Sequence, residues 1–213
     1  VIDSTGHLVF ASRRAVDRGE HEPDRGQYDQ SPDLFGVCGA APVYLRKMLD
    51  DVKLQGQYFE EDFFAYFEDF DISWRAKLRG WNFGFVPEAV GRHYRGASGG
   101  KSSTFILACN HRNRWLVMLR NDDPRSFLRH LAGIAYTELR ATGHMLKLRP
   151  AAIPLAWAQF FKLLPRQWGK RKVIQGGRAI SWQELEKWFT PYSYGLRATL
   201  DRARQRAASS NMN

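Results

Sequence analysis

Between Phe59 and Asp71 the chain reads FEEDFFAYFEDFD, placing six carboxylates (Glu60, Glu61, Asp62, Glu68, Asp69, Asp71) among six aromatics (Phe59, Phe63, Phe64, Tyr66, Phe67, Phe70). Large aromatic rings seek burial and draw neighbouring charges into poorly hydrated surroundings, so this is not a plain solvated acidic face. A carboxylate beside apolar walls is a candidate general base, because partial desolvation raises its proton affinity. Glu68 and Asp69 fall near the start of a helix expected to end before Gly80, where the macrodipole favours an ionised group. Two other readings of the same residues stay open. Asp69 and Asp71 could be helix caps, with Arg75 the i,i+4 partner of Asp71. Asp69-Phe70-Asp71 also has D-x-D spacing suited to a divalent cation.

Around this segment the pattern alternates between strands and helices. Val1–Phe10 reads as a short hairpin about Ser4-Thr5-Gly6, and 17–33 as a surface loop rich in Gly, Pro and charge. Leu34–Gly39 reads as a buried strand, and Pro42 as the start of a helix carrying Val43, Leu45, Met48 and Leu49. Trp81–Val86 and Val90–Tyr94 are expected strands, 95–100 a flexible loop, and about Ser103–Arg120 a helix. From Asp123 onward the chain is expected to be wholly helical, with caps at Asp123-Pro124 and Ser181-Trp182-Gln183-Glu184 and fraying from about Arg204.

Charge divides the chain. Residues 1–122 carry 16 basic and 17 acidic side chains, whereas 123–213 carry 16 basic and 5 acidic, with no acid at all between Glu138 and Glu184. Trp157, Phe160, Phe161, Leu164 and Trp168 form one helical stripe with Lys162, Arg166 and Lys170 beside it. That pairing predicts an anionic membrane surface as partner in preference to nucleic acid. Its alternative is a stripe packed on the rest of the chain. The two cysteines, Cys38 and Cys109, are too far apart in sequence, and too few, for a disulfide framework or a structural zinc site. The sequence begins without an initiator Met, a basic leader or an apolar leader, so it is expected to be cut from something longer. No stretch approaches the roughly 20 apolar residues of a membrane span.

The run Gly56-Gln57-Tyr58-Phe59-Glu60-Glu61-Asp62-Phe63-Phe64-Ala65-Tyr66-Phe67-Glu68-Asp69-Phe70-Asp71-Ile72-Ser73-Trp74-Arg75 is followed by Arg79-Gly80-Trp81, Val86-Pro87-Glu88-Ala89 and His93. Together these resemble the second half of family 2 glycosyltransferases of GT-A fold, nearest the bacterial rhamnosyltransferase-like branch. Weaker matches are Ile2–Gly6, Gly36–Ala41 and Arg112-Asn113-Arg114. The resemblance implies an α/β fold: the acceptor-side part of a GT-A domain over 1–122, then a basic helical extension over 123–213. It implies inverting transfer from a nucleotide-diphosphate sugar to a hydroxyl of a glycan or lipid-linked acceptor in polysaccharide or glycolipid assembly. Asp69 would be the base and Glu68 a supporting carboxylate. Gly39, Ala40, Glu61, Arg75 and Trp81 would lie at the substrate, and His93 would be a ligand of Mn or Mg. The family's donor strand and D-x-D turn would lie upstream of Ile2, leaving the metal site incomplete and the chain alone inactive. The expected location is cytoplasmic, peripheral at the inner face of the membrane. The rival reading is a non-enzymatic basic module that binds membrane or nucleic acid.

Overall fold

The computed structural model describes residues 1–31, 33–94 and 103–191. The expected loop at 95–100 and the expected fraying from Arg204 lie outside them. Strand β1 (His7–Phe10) pairs antiparallel with β2 (Ala15–Asp17) and parallel with β5 (Phe189–Thr190), giving the order β2-β1-β5. A second ladder joins β3 (Asp33–Leu34) to β4 (Phe83–Gly84). Between them lie helices α1 (Arg46–Val52) and α2 (Glu68–Leu78), then α3 (Thr104–Asn121), α4 (Pro124–Arg129), α5 (Leu131–Leu148), α6 (Ala152–Gly176) and α7 (Trp182–Glu186).

The hairpin turns at Ala11–Arg14, not at Ser4–Gly6. Arg13 adopts φ 60° in that turn, where its N–H donates to the Phe10 carbonyl (2.7 Å), and its buried guanidinium donates to Asp122 (2.7 Å) and the Ser126 hydroxyl (2.7 Å). Pro42 does not start a helix: α1 begins at Arg46, and Val43 and Leu45 are exposed. The expected strands at 34–39 and 81–86 shrink to the two-residue β3 and β4, and 90–94 forms none. The tail is not wholly helical, since Phe189–Thr190 returns as β5 beside β1. Both expected caps are present. Asp123 accepts from the Arg125 N–H (2.9 Å), and Ser181 with Glu184 completes a capping box.

Helix α2 is the axis of the fold. One side packs Phe70, Trp74 and Leu78 against Val9, Phe63, Leu116, Ile174 and Phe189. The other packs Ile72 and Ala76 against Leu34, Met48, Val52 and Phe83. A helix buried on every side must also bury its polar residues with partners, and Asp71 and Arg75 meet that need by pairing at 2.9 Å. Helices α3 and α6 run side by side and parallel, from Arg112 beside Gln159 to Arg120 beside Gln167.

Candidate active site

Three aromatics just before α2 have positive φ: Phe64 (φ 64°), Tyr66 (φ 70°) and Phe67 (φ 70°). Such conformations cost bulky residues about 1–3 kcal/mol each and persist only where the surroundings impose them. Helix α3 imposes them here. The Asn113 amide donates to the carbonyls of Phe63, Ala65 and Tyr66 at 2.9–3.0 Å, and Arg112 donates to those of Asp62 and Phe63 at 3.0 Å. The clamped turn delivers Glu68 and Asp69 into the first turn of α2.

Asp69 lines a cleft of about 300 Å³ with His7, Asp17, Cys38, Tyr66, Phe67 and Asn110. Its Oδ2 accepts the Gly39 N–H at 2.7 Å and lies 3.5 Å from His7 Nε2, while Oδ1 accepts the Phe70 N–H at 2.7 Å. Gly39 makes the approach possible, since a Cβ there would come within 3.2 Å of Oδ2. Gly36 lets the same segment lie on α2, where an added Cβ would collide with Ser73 at 2.3 Å. Burial alone would raise the Asp69 pKa, but the hydrogen bond and charge of His7 and the N–H groups of Gly39 and Phe70 outweigh it. The carboxyl is therefore held below its ordinary value and is ionised at neutral pH. Glu68 moves the other way: burial pushes it up, its own backbone N–H offsets part, and the Asp69 charge adds to the rise. Neighbouring carboxyls driven apart in this way are suited to different roles. Burial also raises the Cys38 thiol to about 11, so it stays protonated.

The other expected site residues are placed as follows. Ala40 is exposed beside Gly39, and Glu61 is exposed on the short 3-10 turn Glu61–Phe63. Arg75 is buried and donates to Asp71, to the Val52 carbonyl and to the Tyr58 carbonyl, so it braces the core and does not reach the cleft. Trp81 lies beyond the far end of α2, whose rise from Asp69 to Leu78 is about 13–14 Å, and donates to Asp51 at 2.8 Å. The D-x-D reading fails because Asp71 points into the core, onto Arg75, Arg120 and Asn121.

His93 lies in a different cleft, with Nδ1 2.8 Å from Asp3 Oδ2. Those two donors are fewer than a protein-held divalent ion usually takes, and no group of three or more His, Cys, Asp or Glu assembles among the described residues. Among the described residues His93 and Asp3 therefore do not make a complete cation site by themselves, and the chemistry of the Asp69 cleft is derived without one.

His7 was not expected from the sequence, where it is one residue of a short strand with nothing to mark it. Asn113 appeared there only as part of a weak downstream match. His7→Leu should move the titration midpoint of the Asp69 carboxyl upward, and His7→Gln, which keeps a donor at a similar reach, should move it back. Carbon-detected NMR of the side-chain carboxyl checks this; an unmoved midpoint in His7→Leu contradicts the pairing.

A family model described as glycosyl transferase family group 2 matches residues 1–174, and no curated protein or solved structure matches. Members of that family generally use divalent cations. The mixed α/β architecture, with its small sheets and many helices, is compatible with a GT-A-like domain. Because the match takes in the clamped turn, α2 with Asp69, α3 and nearly all of α6, the chain belongs to glycosyl transferase family group 2.

Proposed function

We propose that this chain serves an inverting sugar transfer from a nucleotide-diphosphate sugar to a hydroxyl of a glycan or lipid-linked acceptor, in the manner of the rhamnosyltransferase-like branch. Asp69 takes the hydroxyl proton while that oxygen bonds to the anomeric carbon. The bond from that carbon to the diphosphate oxygen breaks, and the diphosphate leaves with the electron pair. The observation that carries this reading is an ionised, mostly buried carboxylate in a cleft of substrate size, with Oδ1 engaged by a single N–H. Glu68, shifted toward its neutral form, suits a hydrogen bond to an acceptor hydroxyl, and Tyr66 and Phe67 offer ring faces to a sugar. Polysaccharide or glycolipid assembly at the cytoplasmic face of a membrane is the setting that this chemistry and the basic tail fit.

The test is transfer by an enzyme in which this chain is joined to a donor-binding half of a GT-A domain, from a panel of nucleotide-diphosphate sugars to a glycan acceptor, with the anomeric configuration of the product read by proton NMR. A product of inverted configuration is expected. A product that keeps the donor's configuration contradicts a single displacement with Asp69 as base.

A further inference from the structure

Between α3, α4 and α6 lies an apolar groove of about 340 Å³, walled by Trp115, Met118, Leu119, Phe127, Phe160 and Trp168. The two ionisable groups on its border are engaged within the chain. Asp122 holds Arg13, and Arg171 donates to the carbonyls of Leu119 (2.5 Å) and Asp122 (2.9 Å). Trp168, which lines the groove, and Phe161, which packs on Phe160, are 49% and 62% exposed and seven residues apart, hence on one face of α6. Lys172, one turn beyond Trp168, continues that face, with Lys162 beside Phe161 and Arg125 at the start of α4, all exposed. The chain has no Asp or Glu from 139 to 183, so no carboxylate of α6 opposes these cations.

We propose that this face docks on an anionic lipid surface. Trp168 and Phe161 enter the boundary between headgroups and acyl chains beside the groove, and Lys162, Lys172 and Arg125 meet the headgroups. No helix among the described residues is long and apolar enough to cross a membrane, so the contact is made from one side. Lys170 is not part of it, because its ammonium is buried on Glu60 at 2.6 Å. The proposal rests on the transferase reading in one respect, which is that it names a lipid-borne acceptor. Helix α3 carries Asn110 of the Asp69 cleft and Trp115 and Leu119 of the groove, separated by about 8–14 Å of helix rise.

The test is co-sedimentation of the whole chain with phosphatidylcholine vesicles made with and without phosphatidylglycerol, alongside the double variants Phe161→Ser/Trp168→Ser and Lys162→Gln/Lys172→Gln. The native chain is expected to sediment with the anionic vesicles only and to be partly released by high salt. Neutralising the lysines should weaken partitioning roughly fivefold for each. The Phe161/Trp168 variant should lose the salt-resistant part. Failure of the folded native chain to bind anionic vesicles overturns the proposal, as does equal binding to both vesicle types. If duplex DNA displaces the chain while the Phe161/Trp168 variant binds as the native chain does, the face is a general polyanion surface and the lipid assignment fails. Partitioning is read without sugar transfer. Transfer without lipid binding would remove this proposal alone, and lipid binding with a retained anomeric configuration would remove only the transferase mechanism.

Discussion

Arg120→Met should lower the stability of the folded chain by about 3–5 kcal/mol, the usual cost of leaving buried charges without their partner. Arg120 is fully buried, lies 4.8 Å over the Phe63 ring, and bonds both Glu60 and Asp71. Glu60 also holds Lys170 of α6, and Asp62 holds Arg166 at 3.0 Å and Gln167 at 2.8 Å. Burial raises the pKa of Glu60 and of Asp71, but Arg120, with Lys170 for the first and Arg75 for the second, brings both below their ordinary values. Carboxyls depressed in this way contribute stability that is complete above their unfolded pKa, near pH 4, and is lost as pH falls through the folded value. For a chain of this length the loss should appear as a fall in Tm of roughly 6–20 °C. Thermal unfolding followed by circular dichroism measures it, with the exposed Lys162→Met as a control that should not move. An unchanged midpoint in Arg120→Met would show that Arg120 does not hold the acidic turn to α3.

That network explains a pattern that the sequence displays without its cause. Six carboxylates among aromatics and a tail almost free of acids read as two separate charge features. In the folded chain they partly meet: Glu60 and Asp62 take Lys170 and Arg166, Asp123 takes Arg178 at 2.7 Å, and Arg171 is spent on carbonyls. Pairing across more than a hundred residues leaves no local signal, so spacing alone could not connect them. The aromatic stripe divides for the same reason. Trp157 packs edge-on to His111 at 5.8 Å and Phe160 joins the main core, while Phe161 and Trp168 remain outside.

Local chemistry was the legible part. Helices α2 and α3, the Asp123 cap and the Ser181–Glu184 box follow from periodicity and from side-chain oxygens that answer unpaired backbone N–H groups. Strands were less legible, because β3, β4 and β5 are two residues long and are set by partners distant in sequence. At the site, the acidic motif pointed to Asp69 and Glu68, and the Gly39 segment proved to lie against the carboxylate. The motif could not separate Arg75, whose charge is consumed by Asp71, from a side chain free to meet substrate. Nor could it reveal His7, or the clamp by which Asn113 holds strained aromatics ahead of Asp69.

In an enzyme that joins this chain to a donor-binding half, the turnover of Asp69→Asn, set beside that of the native sequence at saturating acceptor, tests the assignment of the base most directly. The amide has the shape of the carboxylate but only one acceptor oxygen, so it keeps one of the N–H bonds from Gly39 and Phe70 and weakens the other. That costs about 1 kcal/mol of stability, leaving a folded cleft. An amide does not take up the hydroxyl proton. Turnover should therefore fall by roughly 10²-fold or more, while acceptor affinity, measured separately by calorimetry, stays within a few-fold of native. Asp69→Asn turning over at close to the native rate, with unchanged acceptor binding, would contradict Asp69 as the base.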